Sequence, residues 1–402
     1  MKAVRLPSAR VIAPFGDPAR EVRVLDRPLR EVQESALKAE KIELVDRPPQ
    51  GEPWLCFSER TWFTPALLRR LRAAGPGRLR VESADYARAY EPLQDLAAPG
   101  LYEIGLHPAG QGALPERFPD LPPLSVDLGL QSQEMPDVHP ALAFASRPLP
   151  VSAALVHQVD HWTHILRVNL LAMAARGLEA REAFDRAPIW KKATMVLAFL
   201  LRNRPTSRWD VLRGLCVIGK GVQIHPTASV ELSVLEDGVE IGPNAVVRAS
   251  HLGAGAKVEE HSTVNLSVLG AKAKLGRFGM INLSVVYPGA SVSHANGYQA
   301  CLIGQDAFLG WGITALDLSF GRPVKVEHEG AWVDSGQHFL GVVIGHRARL
   351  VYGAMMNAGV SVPNDALLMG EHTQMLKRWG DAPTDEMCIV RDGVATPFRK
   401  KP

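Results

Sequence analysis

Apolar residues in the second half of this 402-residue chain recur at a fixed interval of seventeen, and this repeat constrains the fold more than any other feature. Within each interval they are spaced six, six and five apart, starting from Ile218, Leu235, Leu252, Leu269, Val286 and Ile303. A helix repeats about every 3.6 residues and a strand about every 2, so neither alone explains a six-residue period. The pattern predicts short strands joined by corners, with three sides to a coil and one residue per side pointing inward. Such coils stack into a triangular prism.

Glycine placement and one interruption refine this prediction. A corner needs a small or conformationally free residue, and glycine directly follows an inward position at Gly219, Gly242, Gly253, Gly270, Gly276, Gly304 and Gly310. The stride breaks over 316–337 and resumes from Ile344 to Leu368, again with apolar residues six apart. The interrupting segment is polar and irregular, and we predict a loop there. A functional role and a subunit contact are both open for it.

The repeat over 218–372 resembles the left-handed β-helix of the hexapeptide acyltransferase superfamily. The resemblance implies a left-handed parallel β-helix, which we assign to 216–372. It also implies a homotrimer with sites between neighbouring prisms. Stacked coils hydrogen-bond to their neighbours, so only the end coils are expected to expose strand edges.

The first half of the chain alternates strand and helix patterns. Strands are predicted at 9–13, 42–45, 54–57 and 78–81, and helices at 28–39 and 65–71. Such alternation predicts an α/β layer with a parallel sheet, which we assign to 1–150. Within it, 86–150 is rich in proline and has no clear assignment. A helical connector over 151–215 follows, and 373–402 forms a C-terminal tail.

The connector contains an unusual segment, 190–204, with Trp190 and two lysines before an apolar run that ends in arginines. Such a segment could lie on a membrane surface, but packing against the end of the prism is the interpretation we favour from the sequence. Its longest apolar stretch, 193–201, would span about 14 Å as a helix, which is about half of a bilayer core. No integral membrane segment is therefore predicted.

Charge and cysteine content narrow the classes of function. With 45 basic and 42 acidic residues, the formal net charge is +3, which gives no reason to expect nucleic acid as a partner. The four cysteines are far apart in the sequence, so no zinc-type pair is present, and their sparse use suits a reducing compartment. Residues 1–14 have no apolar core of signal-peptide length. We therefore expect a cytoplasmic protein.

Two stretches of the repeat region carry a more specific resemblance. The first contains Phe308-Leu-Gly-Trp-Gly, and the second contains Phe339-Leu-Gly-Val-Val-Ile-Gly-His and Met356-Asn-Ala-Gly. Together with a preceding α/β domain, they resemble the sugar-1-phosphate nucleotidyltransferases that end in a β-helix. The match is to the bifunctional N-acetylglucosamine-1-phosphate uridylyltransferase/glucosamine-1-phosphate acetyltransferase family. This resemblance implies a nucleotidyltransferase-like α/β domain and a role in nucleotide-sugar metabolism.

For nucleotidyl transfer, the resemblance implies a phosphate-binding loop after the first strand and carboxylates that hold Mg²⁺. The corresponding loop offers Gly16, Arg20 and Arg23 for phosphate binding, although an Arg-rich surface turn remains the alternative. Glu59 stands where the family has its metal-binding Asp. The family has a second carboxylate directly after a tryptophan, but here Thr163 follows Trp162. Asp160 is close in sequence but does not occupy that position. These departures indicate an impaired or lost pyrophosphorylase.

For acetyl transfer to an amine, the chemistry needs a general base and donors for the oxyanion. The resemblance assigns the base to His294 and the binding of a phosphorylated sugar to Tyr298 and Lys325. Asp317 would orient the amine, and acetyl-CoA would be the acyl donor. Asn282 replaces a lysine of the family in the preceding coil. A solvated surface histidine is the alternative for His294.

Three hypotheses for function remain open from the sequence. The leading hypothesis is acyl transfer to a sugar phosphate at an inter-subunit site of the β-helix. The second is a sugar-1-phosphate nucleotidyltransferase with an altered phosphate loop. The third is a non-catalytic protein that binds a nucleotide sugar or serves as a scaffold. The two enzymatic hypotheses imply a small-molecule sugar phosphate or nucleotide sugar as the ligand, whereas the third allows a bound nucleotide sugar or none.

Overall fold

The computed structural model describes residues 1–109, 118–133, 149–371, 379 and 388–397. Within them the chain forms an α/β domain, a helical connector and a left-handed parallel β-helix, which confirms the predicted fold class. Of the predicted C-terminal tail, the hairpin Cys388–Arg391 and Val394–Pro397 belongs to the described part.

The β-helix is a prism with three parallel sheets as its faces. The first face comprises Val217–Ile218, Val234–Leu235, His251–Leu252, Val268–Leu269, Val285–Val286, Leu302–Ile303, Val343–Ile344 and Ser361–Val362. The second face comprises Gln223–Ile224, Glu240–Ile241, Lys257–Val258, Lys274–Leu275, Ser291–Val292, Phe308–Trp311, Arg349–Tyr352 and Leu367–Leu368. The third face comprises Ser229–Glu231, Val246–Arg248, Thr263–Asn265, Met280–Asn282 and Gly297–Gln299, followed by the pair Thr314–Ala315 and Met355–Met356. Ile218 pairs with Leu235, and each step up to Ile303 also advances by seventeen, so the predicted register is confirmed over these coils. After the interruption, Ile303 pairs with Ile344 and Ile344 with Val362.

The inward positions of the repeat form the core of the prism. Leu252, Leu269 and Val286 have no exposed surface, and each buried side chain of this size contributes about 1.5–3 kcal/mol. The end coils are exceptions, because Ile218 in the first coil stays half exposed and Leu368 in the last coil is also exposed. The interruption in the stride forms a loop that carries the antiparallel hairpin Lys325–His328 and Ala331–Asp334.

A six-stranded sheet forms the centre of the α/β domain. Its spatial order is Pro123–Ser125, Gly77–Arg80, Leu101–His107, Trp54–Ser58, Lys2–Leu6 and Glu43–Leu44. Helices α1 (Leu29–Ala39), α2 (Pro65–Ala74) and α3 (Ala84–Tyr90) connect its strands, along with the 3-10 helix Ala19–Glu21. Smaller ladders pair Val11–Ile12 with Asp17–Pro18, Arg23–Val24 with Arg27–Pro28, Thr61–Phe63 with Val156–Gln158, and Gln131–Gln133 with Leu149–Val151.

Two features of this sheet differ from the sequence prediction. The sheet is mixed, because Leu101–His107 runs antiparallel to both of its neighbours. This strand lies in the proline-rich stretch that the sequence left unassigned. The first strand is Lys2–Leu6 rather than 9–13, which supplies only a short hairpin arm. Two basic residues among buried Ala3, Val4 and Leu6 conceal that strand's apolar pattern.

The connector consists of α4 (Trp162–Arg186), α5 (Ile189–Asn203) and α6 (Arg208–Gly214). The first half of α4 is buried between the α/β domain and the first face of the prism. Helix α6 lies against the first coil, where the Leu232 N–H donates to the Leu212 carbonyl at 3.1 Å. Helix α5 has no buried residue, so the favoured interpretation, packing of 190–204 on the prism end, is wrong. Among the described helices, none is both long and apolar enough to cross a membrane.

The tight spacing between coils leaves no room for a side chain at Gly310. A Cβ atom at this position would lie 1.8 Å from the carbonyl oxygen of Val351, which belongs to the backbone of the next coil. Gly310→Ala should therefore separate the coils and destabilise the protein by at least about 1–3 kcal/mol. Gly297→Ala is the matched control, because its Cβ would meet only the flexible Met280 side chain, at 3.4 Å. Urea unfolding of both variants would test this, and equal midpoints would contradict the proposed packing.

Candidate functional site

His294 lies at the corner between the second and third faces, in the turn after Ser291–Val292, and its ring is half exposed. Its Nδ1 accepts a hydrogen bond from the Arg277 backbone N–H at 3.2 Å. The Glu259 Oε2 lies 3.8 Å from the same nitrogen. With Nδ1 as an acceptor, the neutral ring carries its proton on Nε2, which is then a donor rather than a base.

Other corners of the prism repeat this contact, in which a side-chain atom accepts a hydrogen bond from a backbone N–H of the preceding coil. His346 Nδ1 accepts from the Gln305 N–H at 2.9 Å, and Asp237 Oδ1 accepts from the Lys220 N–H at 2.7 Å. The other nitrogen of His346 is held 3.0 Å from a carboxylate oxygen of Asp17. Within the described residues, Nε2 of His294 makes no such contact. His294 therefore combines a structural corner contact with a free ring edge.

The remaining residues assigned to acyl transfer are not gathered around His294 within one chain. Tyr298 is fully buried in the prism, where its hydroxyl donates to the Ile313 carbonyl at 3.1 Å and burial raises its pKa. Its predicted contact with substrate is therefore wrong, because the side chain points into the prism and a substrate outside cannot reach it. Asp317 begins the loop, and partial burial raises the pKa of its carboxyl. Lys325 lies in the loop's hairpin, at the corner between the third and first faces.

The expected phosphate loop is engaged in contacts between the α/β domain and the prism. The ring of Phe15 stacks on Tyr287 and on His346, with ring centroids 5.5 Å and 4.5 Å apart. The carbonyl of Phe15 accepts from the Asn364 side chain at 2.6 Å. Gly16 follows with φ +76 and an exposed backbone. This segment therefore docks on the prism.

The charged residues assigned to nucleotidyl transfer are paired with each other or with the backbone. An Arg20 Nη1 donates to Glu59 Oε2 at 3.2 Å, and an Arg23 Nη1 donates to the Asp26 carbonyl at 2.8 Å. Glu59 is buried, so Arg20 occupies the carboxylate assigned to Mg²⁺. Across the described residues, no group of three His, Cys, Asp or Glu side chains could hold a metal ion. The residues present do not fit a Mg²⁺ site at Glu59.

A cleft for which the sequence gives no signal lies at the carboxyl edge of the six-stranded sheet. It falls between the loops that follow Lys2–Leu6 and Trp54–Ser58, where the strand order reverses direction. Ligands of open α/β sheets bind at such reversal points. The cavity has a volume of about 370 Å³ and is lined by Ser8, Ala9, Arg10, Val11, Arg60 and Asp95.

The floor of this cleft is an ion-paired cluster around Arg60. Its guanidinium contacts both oxygens of Glu103, at 2.8 and 3.0 Å, and also donates to Asp160. Burial raises the pKa of Asp160, although Arg60 opposes the shift. Burial lowers the pKa of Arg60, but its bond to Glu103 and the charge of Asp160 raise it overall. Asp160 is therefore a structural partner of Arg60.

The rim of the cleft joins the α/β domain to the prism loop. Arg10 donates to Asp95 at 3.0 Å and to Glu329 at 2.9 Å, and Glu329 lies at the tip of the loop's hairpin. The two carboxylates are about two-thirds exposed, whereas Arg10 is mostly covered. The sequence carries no signal for the contact between Arg10 and Glu329, because these two residues are 319 positions apart.

Three buried histidines anchor the start of α4 beside the cleft. His161 caps the helix, because its Nδ1 accepts from the Thr163 N–H at 3.3 Å while its Nε2 donates to the Glu327 carbonyl at 3.1 Å. Burial lowers the pKa of His161 to about 4 and that of His157 to about 3. It also holds the pKa of His164 well below its usual range. All three rings are therefore neutral at pH 7.

Comparison with known proteins adds little to this geometry. No family model and no curated protein matches this sequence. Among solved structures, the chain is similar to a polysialic acid O-acetyltransferase at 16% sequence identity. The match covers 46% of this chain and 92% of that chain, with a TM-score of 0.14. At this score the likeness supports no argument, and the fold assignment depends on the strand register.

The neutral histidines predict acid instability. Because the folded-state pKa of His161 lies below its unfolded value of about 6.5, the unfolded state binds more protons as the pH falls. Stability is therefore complete above about pH 6.5 and declines below it, by about 2 kcal/mol from His161 at pH 5. His161→Asn keeps a capping side chain and should remove this part of the decline. Urea unfolding at pH 7.5 and pH 5 would measure it, and an unchanged decline would exclude His161 as its source.

Proposed function

We propose that this protein is an acyltransferase that acts on a phosphorylated sugar, with its site at the corner between the second and third faces. The observation that carries this proposal is the pair of His294 and Glu259, whose Nδ1 and Oε2 atoms lie 3.8 Å apart. The ring edge is half exposed, and no described residue covers it. Histidine with a nearby carboxylate is a common arrangement for general base catalysis.

In this site, Glu259 selects the role of the ring. In the structure Nδ1 accepts from the Arg277 N–H, which makes Nε2 a donor. If Nδ1 and the Glu259 carboxylate, which lie 3.8 Å apart, approach to hydrogen-bond distance, Nδ1 donates to Glu259 and Nε2 becomes a base. Partial burial acts to raise the pKa of Glu259, but the Lys274 ammonium, 2.7 Å away, holds it below its usual value. Glu259 therefore stays ionised and can accept the Nδ1 proton.

The remaining assigned residues place a condition on this proposal. Asp317 and Lys325 leave the prism at a different corner, so a site that combines them with His294 needs a second chain. A homotrimer would meet this condition. Acetyl-CoA is the proposed donor, and a sugar-1-phosphate amine is the proposed acceptor. Tyr298 has no part in the site.

Substitutions at His294 test the proposal with acetyl-CoA and glucosamine 1-phosphate, by following release of the free thiol. Loss of a general base costs about 10²–10⁴-fold in rate, so His294→Ala and His294→Gln should both lose activity to this extent. Glutamine retains an N–H donor, so a largely active His294→Gln would show that the ring acts as a donor. Full activity in His294→Ala would overturn the site. His225→Gln, at an exposed corner of the first coil, is the control.

A second candidate function is the binding of a sugar phosphate or nucleotide sugar in the sheet-edge cleft. The supporting observation is the convergence of Arg10 and Arg60 on a cavity at the reversal of strand order. Four carboxylates surround these two arginines, so an anionic ligand must displace some of them. Asp95 and Glu329 are the exposed pair that it would replace on Arg10.

This second function predicts opposite effects for the two sides of one ion pair. Arg10→Gln should weaken the binding of UDP-N-acetylglucosamine by about 10–100-fold, since a charge-assisted hydrogen bond contributes about 1.5–3 kcal/mol. Glu329→Gln should strengthen the binding, because the competing charge is gone. Titration calorimetry would measure both, with Arg88→Gln on α3 as the control. Unchanged affinity in both variants would exclude the cleft as the binding site.

A further inference from the structure

Helix α5 presents an apolar stripe to solvent. Ile189, Val196, Leu197 and Leu200 recur at intervals that place them on one side of a helix, and each side chain is between 46% and 85% exposed. Trp190 and Leu201 flank the stripe and are also mostly exposed. Nothing in the described part of the chain covers this surface.

The same segment is strongly basic. Residues 188–215 contain six basic side chains, Lys191, Lys192, Arg202, Arg204, Arg208 and Arg213, and one acidic side chain. That acid, Asp210, accepts hydrogen bonds at the cap of α6, and these bonds lower the pKa of its carboxyl. The segment therefore combines an exposed apolar stripe with a net positive charge.

The attachment of α5 leaves the stripe accessible. Its contact with α6 uses Phe199, which lies against Gly214, and the side chain of Asn203. Beyond this contact, Trp209 is half exposed, and the Arg208 guanidinium lies 4.4 Å from the centre of its ring. The exposed apolar and basic surface of α5 therefore extends onto α6 through Trp209 and Arg208. Trp and Lys or Arg are the residue types that favour the headgroup region of a bilayer.

We propose that α5 docks this protein on the surface of an anionic lipid bilayer, with the apolar stripe at the acyl boundary and the basic residues among the headgroups. Charge decides between this occupant and a second copy of the chain. In a symmetric helix pair, Lys191, Lys192 and Arg202 would face the same positive charges of the partner, whereas anionic lipid attracts them. At fifteen residues, α5 is about 22 Å long, too short to span a hydrocarbon core of about 30 Å.

Co-sedimentation of the full chain with vesicles tests this proposal. One set contains phosphatidylcholine alone, and the other contains about 30% phosphatidylglycerol, which supplies the negative charge. We expect binding to the anionic vesicles that weakens as salt is added, and much weaker binding to the neutral set. No binding to anionic vesicles at low salt would overturn the proposal.

Variants separate the apolar and basic contributions. The double variant Leu197→Glu and Leu200→Glu should abolish vesicle binding without unfolding the protein, because both side chains are exposed. Lys191→Gln with Lys192→Gln should weaken binding by about 25-fold, at roughly fivefold for each charge removed. The control is Leu44→Glu on the edge strand Glu43–Leu44 of the α/β domain, where the side chain is 38% exposed and lies away from both proposed sites. Equal loss of binding in this control would contradict a role specific to α5.

Light scattering identifies the competing occupant. If the protein self-associates, and the Leu197→Glu and Leu200→Glu variant dissociates it while no form binds vesicles, the stripe belongs to a subunit interface and the proposal is wrong. If the variant keeps the mass and circular dichroism of the unmodified chain but loses vesicle binding, the stripe is the lipid-binding surface. This test is independent of the acyl-transfer assay, because it needs no substrate.

Discussion

The burial of the first face of the prism under α4 and the α/β domain is the interaction on which the rest of the structure depends. Val268, Val285, Leu302 and Val343 point outward from their strands, yet they belong to the same hydrophobic core as the α/β domain. Each contributes up to about 1.5–3 kcal/mol relative to an exposed position. Without this contact the two halves would be independent units, and the hairpin of the loop would not reach the sheet-edge cleft.

A polar network completes this contact, and Arg167 on α4 is its centre. Its fully buried guanidinium donates to the carbonyls of Tyr90 and Pro92 on one side and of Ser335 in the loop on the other. Burial lowers the pKa of Arg167 to about 10, so the side chain remains charged at pH 7. A buried charge that bonds to several carbonyls fixes their relative positions, because losing any of these bonds leaves charge unsatisfied. The loop, α4 and the cleft rim therefore behave as one assembly.

The sequence predicts the prism well because its signal is local and periodic. Each coil repeats the same six-residue sides, so the pairing of Ile218 with Leu235 follows from spacing alone. The same repeat placed Tyr298 at an inward position, and its burial shows that this evidence outweighed the substrate role taken from resemblance. The pairing of Arg10 with Glu329 depends on the docking of two domains, which no local pattern encodes. Nor does the sequence show which nitrogen of His294 bears the proton, since this depends on the Arg277 N–H of the neighbouring coil.

The asymmetric use of the three faces restricts where a second chain can add to this prism. The α/β domain and α4 occupy the first face, which leaves the second and third faces and the corner between them. On the third face, Asn265, Asn282 and Gln299 form a ladder of side-chain amides with spacings of 2.8 and 2.7 Å. These amides bond mainly to each other along the prism axis, so a partner can cover them without leaving their main hydrogen bonds unmade. Exposed Met280 begins the same strand as Asn282 and adds apolar surface. The proposed inter-subunit site would therefore use this side of the prism, where His294 is one of three exposed histidines at the corner between the second and third faces, together with His225 and His261.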